Sequence, residues 1–228
     1  MNPQSFDWGF FFYFMIAILD SNYPSFPPVE TAHESGILAI GGALTVDWLL
    51  LAYKHGVFPW FEDGEPITWW APNPRMVVIP QYFKPSKSMR NILNRGLFQV
   101  TFNTSFKQVI THCQTVKREG QNGTWITDEM IEAYCALNQL GYAQSVEVWQ
   151  DGELVGGLYG VDVGGDIFCG ESMFSLVPNA SKVAFHRLVE KLKKENYRLL
   201  DCQVYNPHLA LLGAIEISRE VYMEYLNK

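Results

Sequence analysis

Asp201 and Gln203 stand one residue apart in Leu199-Leu-Asp-Cys-Gln-Val204, a stretch whose apolar flanks read as a β-strand. Side chains alternate along a strand, so Asp201 and Gln203 fall on one face and Cys202 on the other. A carboxylate in that place can bind a cationic or hydrogen-bonding group of a substrate. The neighbouring amide, a poor base, can orient it. Buried polar groups need partners, so such a pair is out of place in a plain core. An edge strand with one solvated face would give the same pattern. On either reading Cys202 points into packing and is a poor nucleophile.

Three aromatic residues lie in surroundings too polar and turn-rich for simple core duty. Trp60 follows Phe58-Pro59, Trp125 sits in Gly123-Thr-Trp-Ile-Thr127, and Phe168 precedes Cys169-Gly-Glu-Ser172. Flat rings grip unstacked bases or aromatic side chains, although any one of these could equally be core. The charge distribution favours a similar partner. Net charge is −7, yet residues 66–118 hold none of the 24 acidic residues and include the basic residues Arg75, Lys84, Lys87, Arg90, Arg95, Lys107, Lys117 and Arg118. One basic surface on an acidic body can hold a few phosphates and steer an anionic partner, or can be a solvated face with no ligand.

Other chemistries find less support. Gly36-Ile-Leu-Ala-Ile-Gly-Gly-Ala-Leu44 has the glycine spacing of a phosphate loop without the Lys and Ser/Thr that should follow, so its glycines read as a tight turn before a helix. His33, His55, His112, His186 and His208 show neither metal-ligand spacing nor a hydrolase motif. Cys113, Cys135, Cys169 and Cys202 form no Cys-x-x-Cys pair and read as reduced cysteines of a cytoplasmic protein. The apolar run Trp8 to Leu19 covers twelve residues, short of the ~20 that span a membrane, and follows Asp7 rather than a basic start. It is expected to be a buried opening segment, with residues 1–14 as a start-site extension and no membrane role.

The elements that must position these residues follow from pattern. Thr45 to His55 reads as a helix with Thr45 as N-cap and Gly56 past its end. The Pro- and Trp-rich stretch 57–74 is irregular or short strand, and a domain boundary is placed near Asn73, giving units 1–73 and 74–228. Beyond it come a strand at Met76 to Ile79, a helix around Ser86 to Asn94, a strand at Phe98 to Phe102 and helices from near Ser105 and Thr127. Ala143 to Gln150 and Glu153 to Val161 form a hairpin about Asp151-Gly152, a strong two-residue turn signal. A strand over Asp166 to Phe174, a helix from about Asn179 to Asn196 and a strand over Arg198 to Val204 complete an α+β fold, its sheet mostly antiparallel and flanked by helices.

Five blocks, Ile40-Gly-Gly-Ala-Leu44, Phe58-Pro-Trp-Phe61, Thr68-Trp-Trp-Ala-Pro-Asn-Pro-Arg75, Gly123-Thr-Trp-Ile-Thr127 and Phe168-Cys-Gly-Glu-Ser-Met-Phe174, closely resemble the leucyl/phenylalanyl-tRNA–protein transferases of bacteria. Asn179-Ala-Ser-Lys182, Leu200-Asp-Cys-Gln-Val204 and Leu212-Gly-Ala214 continue the match in order, so the resemblance runs from about Phe26 onward. It implies a small N-terminal domain and a larger one like the Gcn5-related acetyltransferases. It also implies an enzyme that moves Leu, Phe or Met from aminoacyl-tRNA to the α-amino group of proteins beginning with Arg or Lys, marking them for N-end rule degradation. No cofactor is implied, and a monomer is expected. The pyrophosphate loop that would bind coenzyme A is absent.

By the same resemblance, Trp60, Trp125 and Phe168 line the site for the 3′ adenosine and its aminoacyl group. Leu158, Leu188 and Leu200 line the pocket for the Leu or Phe side chain, with Leu158 where Met is frequent and Leu188 where Phe occurs. Arg75, Lys87, Arg90 and Arg95 lie where the family binds the tRNA acceptor stem, and Asn91 and Asn94 replace basic residues of some relatives. Asp201 holds the acceptor amine, Gln203 orients the amine or the tetrahedral centre, and Glu171 fixes the ester or neutralises the basic acceptor side chain. A Gln-Asp proton relay and assistance from the substrate's ribose hydroxyl both remain open. Phe168 and Glu171 are an odd number apart and should face opposite ways unless Gly170 makes a bulge. Two rival readings are a coenzyme A-dependent N-acyltransferase and an RNA-binding module without chemistry.

Overall fold

The computed structural model describes residues 16–116, 124–162, 164 and 166–227. Its first elements are β1 (Ala17–Leu19), β2 (Ile37–Gly41), α1 (Val46–Lys54), β3 (Phe58–Pro59) and β4 (Thr68–Trp70). The four strands form a small sheet in the order β1-β2-β4-β3. Thr45 caps α1 by accepting from the Trp48 amide, as its sequence position predicts. Within the glycine-bearing stretch, Ile37–Gly41 is strand β2, and Gly41 and Gly42, at φ +90° and +74°, turn the chain ahead of α1 as expected. The part of the opening apolar run that is described forms β1 with Ile18 88% exposed, so it is not the buried segment expected; residues 8–15 lie outside the described residues.

The rest of the chain builds a seven-stranded sheet. In chain order it contributes β5 (Arg75–Val78), α2 (Lys87–Asn94), β6 (Gln99–Phe102), α3 (Phe106–Thr115), α4 (Asp128–Gln139), β7 (Ala143–Gln150), β8 (Glu153–Asp162), β9 (Ile167–Ser175), α5 (Ala180–Lys194), β10 (Leu199–Gln203), α6 (Pro207–Leu211), β11 (Ile215–Ile217) and α7 (Arg219–Leu226). The strand order is β11-β5-β10-β9-β8-β7-β6, antiparallel except where β10 runs parallel to β9. Asp151 and Gly152 both take positive φ at the β7–β8 turn, as a tight two-residue hairpin requires. β10 is an interior strand, flanked by β5 and β9, which disposes of the solvated-edge explanation for Asp201 and Gln203.

Apolar residues fill both faces of this sheet. On one face α3 and α4 bury Phe106, Val109, Met130 and Tyr134 in a cluster that also takes in Val77, Cys169 and Leu199. On the other, α5 buries Val183, Leu188 and Leu192 against Val78, Leu158 and Leu200. The first cluster continues without a break into Trp48, Phe58 and Trp69 of the small sheet. Residue 73 thus separates two sheets that share one core. No helix among the described residues is long and apolar enough to cross a membrane.

Candidate active site

Asp201 lies at the centre of β10, 0% exposed, with every acceptor position engaged. Its Oδ1 accepts from Arg75 Nε at 2.9 Å and from the Gln203 backbone N–H at 2.9 Å. Its Oδ2 accepts from Arg75 Nη2 at 2.7 Å and from the Tyr222 hydroxyl at 3.0 Å. The Arg75 guanidinium is held between the rings of Phe58, 4.8 Å away, and Tyr222, 4.6 Å away. Burying two charges is costly unless geometry and hydrogen bonds are complete, and here they are. Two expectations change. Arg75, 2% exposed, offers no charge to an RNA phosphate, and Asp201 offers no free lone pair to an acceptor amine.

Strand alternation also fails locally, for a visible reason. Asp201 pairs with Val77 and Gln203 with Met76, so Cys202 is an extra residue and β10 bulges. Gln203 takes φ +66°, uncommon for a side chain of its size. The bulge turns Cys202 and Gln203 together toward the same open cleft and leaves Asp201 behind in the core. Cys202 is therefore a wall residue and not only packing, and burial pushes its thiol up, away from the reactive thiolate.

Gln203 is fixed at two points. Besides its backbone bond to Asp201, its Nε2 donates to Glu171 Oε1 at 2.9 Å. Glu171 in turn meets the hydroxyls of Tyr53 at 2.8 Å and Tyr134 at 3.1 Å, and those hydroxyls meet each other. Three oxygen-to-oxygen contacts close this ring, but two phenols supply only two hydrogens. The third must come from the carboxyl, so the ring is complete when Glu171 is protonated. Burial, reinforced by the Asp201 charge and opposed by hydrogen bonds from the tyrosines and Gln203, raises the Glu171 pKa to about 8, in agreement with the proton count.

A cleft of about 330 Å³ opens above this network, bounded by Trp60 and Trp125, with Glu171, Met173, Cys202 and Gln203 beneath. A smaller apolar hollow of about 70 Å³ adjoins it and shares Glu171, Ser172, Met173, Cys202, Gln203 and Leu209 as walls. Leu158, Leu188 and Leu200, far apart in sequence, meet there, together with Phe185. The expected bulge in β9 exists: Tyr159 pairs with Ser172 and Gly160 with Gly170, leaving Glu171 unpaired. It does not carry Phe168 to the cleft, however. Phe168 is 1% exposed in the α5-facing core and lines neither cavity. Lys87, Arg90 and Arg95 are exposed along and just beyond α2, whereas Lys117 and Arg118 lie outside the described residues.

The family model described as leucyl/phenylalanyl-tRNA protein transferase matches residues 77–227, and that of the N-terminal domain of the same transferase matches residues 42–73. The chain belongs to this family. A leucyl/phenylalanyl-tRNA–protein transferase of Flavobacterium johnsoniae is 64% identical over 202 residues, 89% of this chain and 95% of that protein. Proteins of the same name from Flavobacterium psychrophilum and Myxococcus xanthus are 57% and 47% identical, over 90% and 93% of this chain and 96% and 91% of theirs.

Four residues of the site carry little sign of their role in the sequence. Tyr53 and Tyr134 sit on the buried faces of α1 and α4, where only the need of a buried phenol for a partner hints at them. Arg75 reads as an RNA contact because a lone arginine beside apolar strand residues carries no sign of its partner. Tyr222 lies in α7, beyond the last element that pattern alone supplies.

Proposed function

We propose that this protein transfers Leu, Phe or Met from the 3′ end of an aminoacyl-tRNA to the α-amino group of proteins beginning with Arg or Lys, a step of N-end rule degradation in the cytoplasm. The observation that carries this reading is the placement of Gln203. Its amide nitrogen is committed to Glu171, and its side chain lines the cleft between two tryptophans, beside an apolar hollow. The tryptophans suit a terminal adenine, and the hollow of Leu158, Leu188 and Leu200 suits an aliphatic or aromatic side chain. One methylene changes discrimination by only about 1–3 kcal/mol, so related apolar side chains can share the hollow.

The acceptor amine, with an ordinary pKa of about 7.7–8.0, is partly neutral already. Its nitrogen attacks the ester carbonyl carbon, the new amide bond forms, and the bond to the ribose oxygen breaks. That oxygen leaves with a proton equivalent to the one the amine gives up, so no cofactor is consumed. The Gln203 oxygen accepts a hydrogen bond from the attacking amine and aims its lone pair, which makes positioning the main contribution. Glu171, protonated at neutral pH, orients the Gln203 amide. Asp201 acts through the Gln203 backbone as a positioning residue. Proton transfer through the neighbouring ribose hydroxyl suits this arrangement better than a Gln203–Asp201 relay, since Asp201 has every acceptor position engaged and the Gln203 side chain bonds Glu171.

The seven-stranded sheet with its helices is taken as the acetyltransferase-like catalytic unit, with residues up to 73 as a small N-terminal unit on it, in a monomeric protein. Purified protein, radiolabelled Leu-tRNA or Phe-tRNA and a peptide with N-terminal Arg should yield labelled peptide. Gln203→Ala should reduce transfer about 10²–10³-fold, the usual scale for losing one orienting hydrogen bond at a reacting centre. Label that never reaches the peptide overturns the reading.

A further inference from the structure

A further cavity, of about 260 Å³, lies between α2, the start of α5 and α6. Lys84, Asn179, Lys182, His186, His208 and Leu212 are among its walls. Neither lysine makes an ion pair among the described residues. His186 is 3% exposed, and its buried Nδ1 has no hydrogen-bond partner, although such a group normally finds one. Its ring is held against Phe83, with centroids 4.9 Å apart, so Nδ1 is enclosed by protein and does not face the open side of the cavity. His208 has its pKa lowered, by burial first and by the Lys182 charge second, which places those two groups close together. Two cations without an ion-pair partner among the described residues, lining one concavity, form a site that an anion would complete.

His208 also lines the cleft between Trp60 and Trp125, so the two cavities share a wall. Lys87 and Arg90 are exposed on α2, the helix whose Ser88, Met89 and Ile92 line this cavity. We infer that this cavity binds a backbone phosphate of the polynucleotide one or a few nucleotides before the terminal adenosine, with Lys84 and Lys182 on the phosphate oxygens. This rests on the reading of the tryptophan cleft as the 3′-adenosine site. It gives the single strand a path from that cleft, past His208, to the basic face of α2. Single-strand binding of this kind combines a stacked base with a charged groove for the backbone.

The test is equilibrium binding of full-length protein to uncharged tRNA carrying the 3′ CCA and to the same tRNA without it, across a salt series. Lys182→Gln should weaken binding of the CCA-ended tRNA about threefold to tenfold and lower the slope of log K against log salt by about 0.7, as expected when one single-strand phosphate is no longer neutralised. On the truncated tRNA the variant and the parent should bind alike. Thermal melts should show that Lys182→Gln folds like the parent. Unchanged affinity of Lys182→Gln for the CCA-ended tRNA overturns the inference. So does an equal loss on the truncated tRNA, which would mark a general stem patch. Competition by inorganic phosphate that removes the difference between variant and parent at low millimolar levels would mark a free-anion site and also overturn it. A parent protein that fails to transfer label while Lys182→Gln still shows the CCA-dependent loss would sink the transferase reading and leave this phosphate site standing.

Discussion

At the scale of single residues, the protonation state of Glu171 is the property with the clearest measurable outcome. Its folded pKa of about 8 lies above the ordinary carboxylate value, so the protonated acid is what the fold favours. The resulting stabilisation is full below about pH 4.5, falls as pH rises and is gone above about 8. Glu171→Gln, neutral at every pH, should lack that component. Urea denaturation of parent and variant should give a stability difference that changes between pH 5 and 9 in this direction, and a constant difference would refute the proton-sharing ring. Asp201 predicts a different behaviour. Asn at 201 leaves the Arg75 guanidinium buried beside a neutral amide, a change that costs roughly 3–5 kcal/mol when a buried pair is broken. Its low transfer activity should therefore accompany a lowered denaturation midpoint, whereas a catalytic base removed from an open cleft would leave the midpoint where it was.

At the scale of elements, regular patterns are legible in the sequence and irregular ones are not. The Thr45 cap, the helix starts near Ser86 and Thr127, the Asp151-Gly152 turn and the long strands β7, β8 and β9 announce themselves through local chemistry, as does helix α5. The two- and three-residue strands of the small sheet do not, because their pairing is set by distant partners such as Ile37 with Trp70. The most consequential irregularity is the β10 bulge. Alternation puts Asp201 and Gln203 side by side, yet one unpaired residue sends the acid inward and the amide outward, and nothing in Leu199-Leu-Asp-Cys-Gln-Val204 marks the inserted residue. Family likeness finds the residues of the hollow, while the same likeness brings in Phe168, which lies in the core. β8 offers a test of how tightly these strands are set. A Cβ on Gly160 would collide with the Cys169 carbonyl and the Phe168 ring. Gly160→Ala should cost about 1–3 kcal/mol, as overpacking does, read as a lower denaturant midpoint; no change would mean that the β8–β9 pair can spread.

At the scale of the whole molecule, an acidic chain presents a basic face. Lys87 and Arg90 are exposed on α2, three residues apart and hence on one side of the helix. Replacing both with Gln should weaken tRNA binding uniformly and reduce the salt slope by roughly 0.7–0.9 for each phosphate no longer neutralised, with kcat at saturating tRNA little changed. A filter-binding salt series on parent and variant would check this, and an unaltered slope would remove α2 from the RNA path. Arg75, which belongs to the same basic stretch of sequence, should not behave this way, since its charge is spent inside the fold.

Tyr222 gives the fold a temporal property. It belongs to α7, whereas Asp201, Arg75 and Phe58 belong to elements made earlier, and its hydroxyl fills the last acceptor position on Asp201. On a ribosome, where the chain emerges from its N-terminal end, the buried ion pair is open on that side until α7 has been released and can dock. The transferase thereby depends on the late part of its own synthesis: a nascent chain halted before residue 222 holds the tryptophans, the hollow and Gln203 but lacks the tyrosine that seals the charge beneath them.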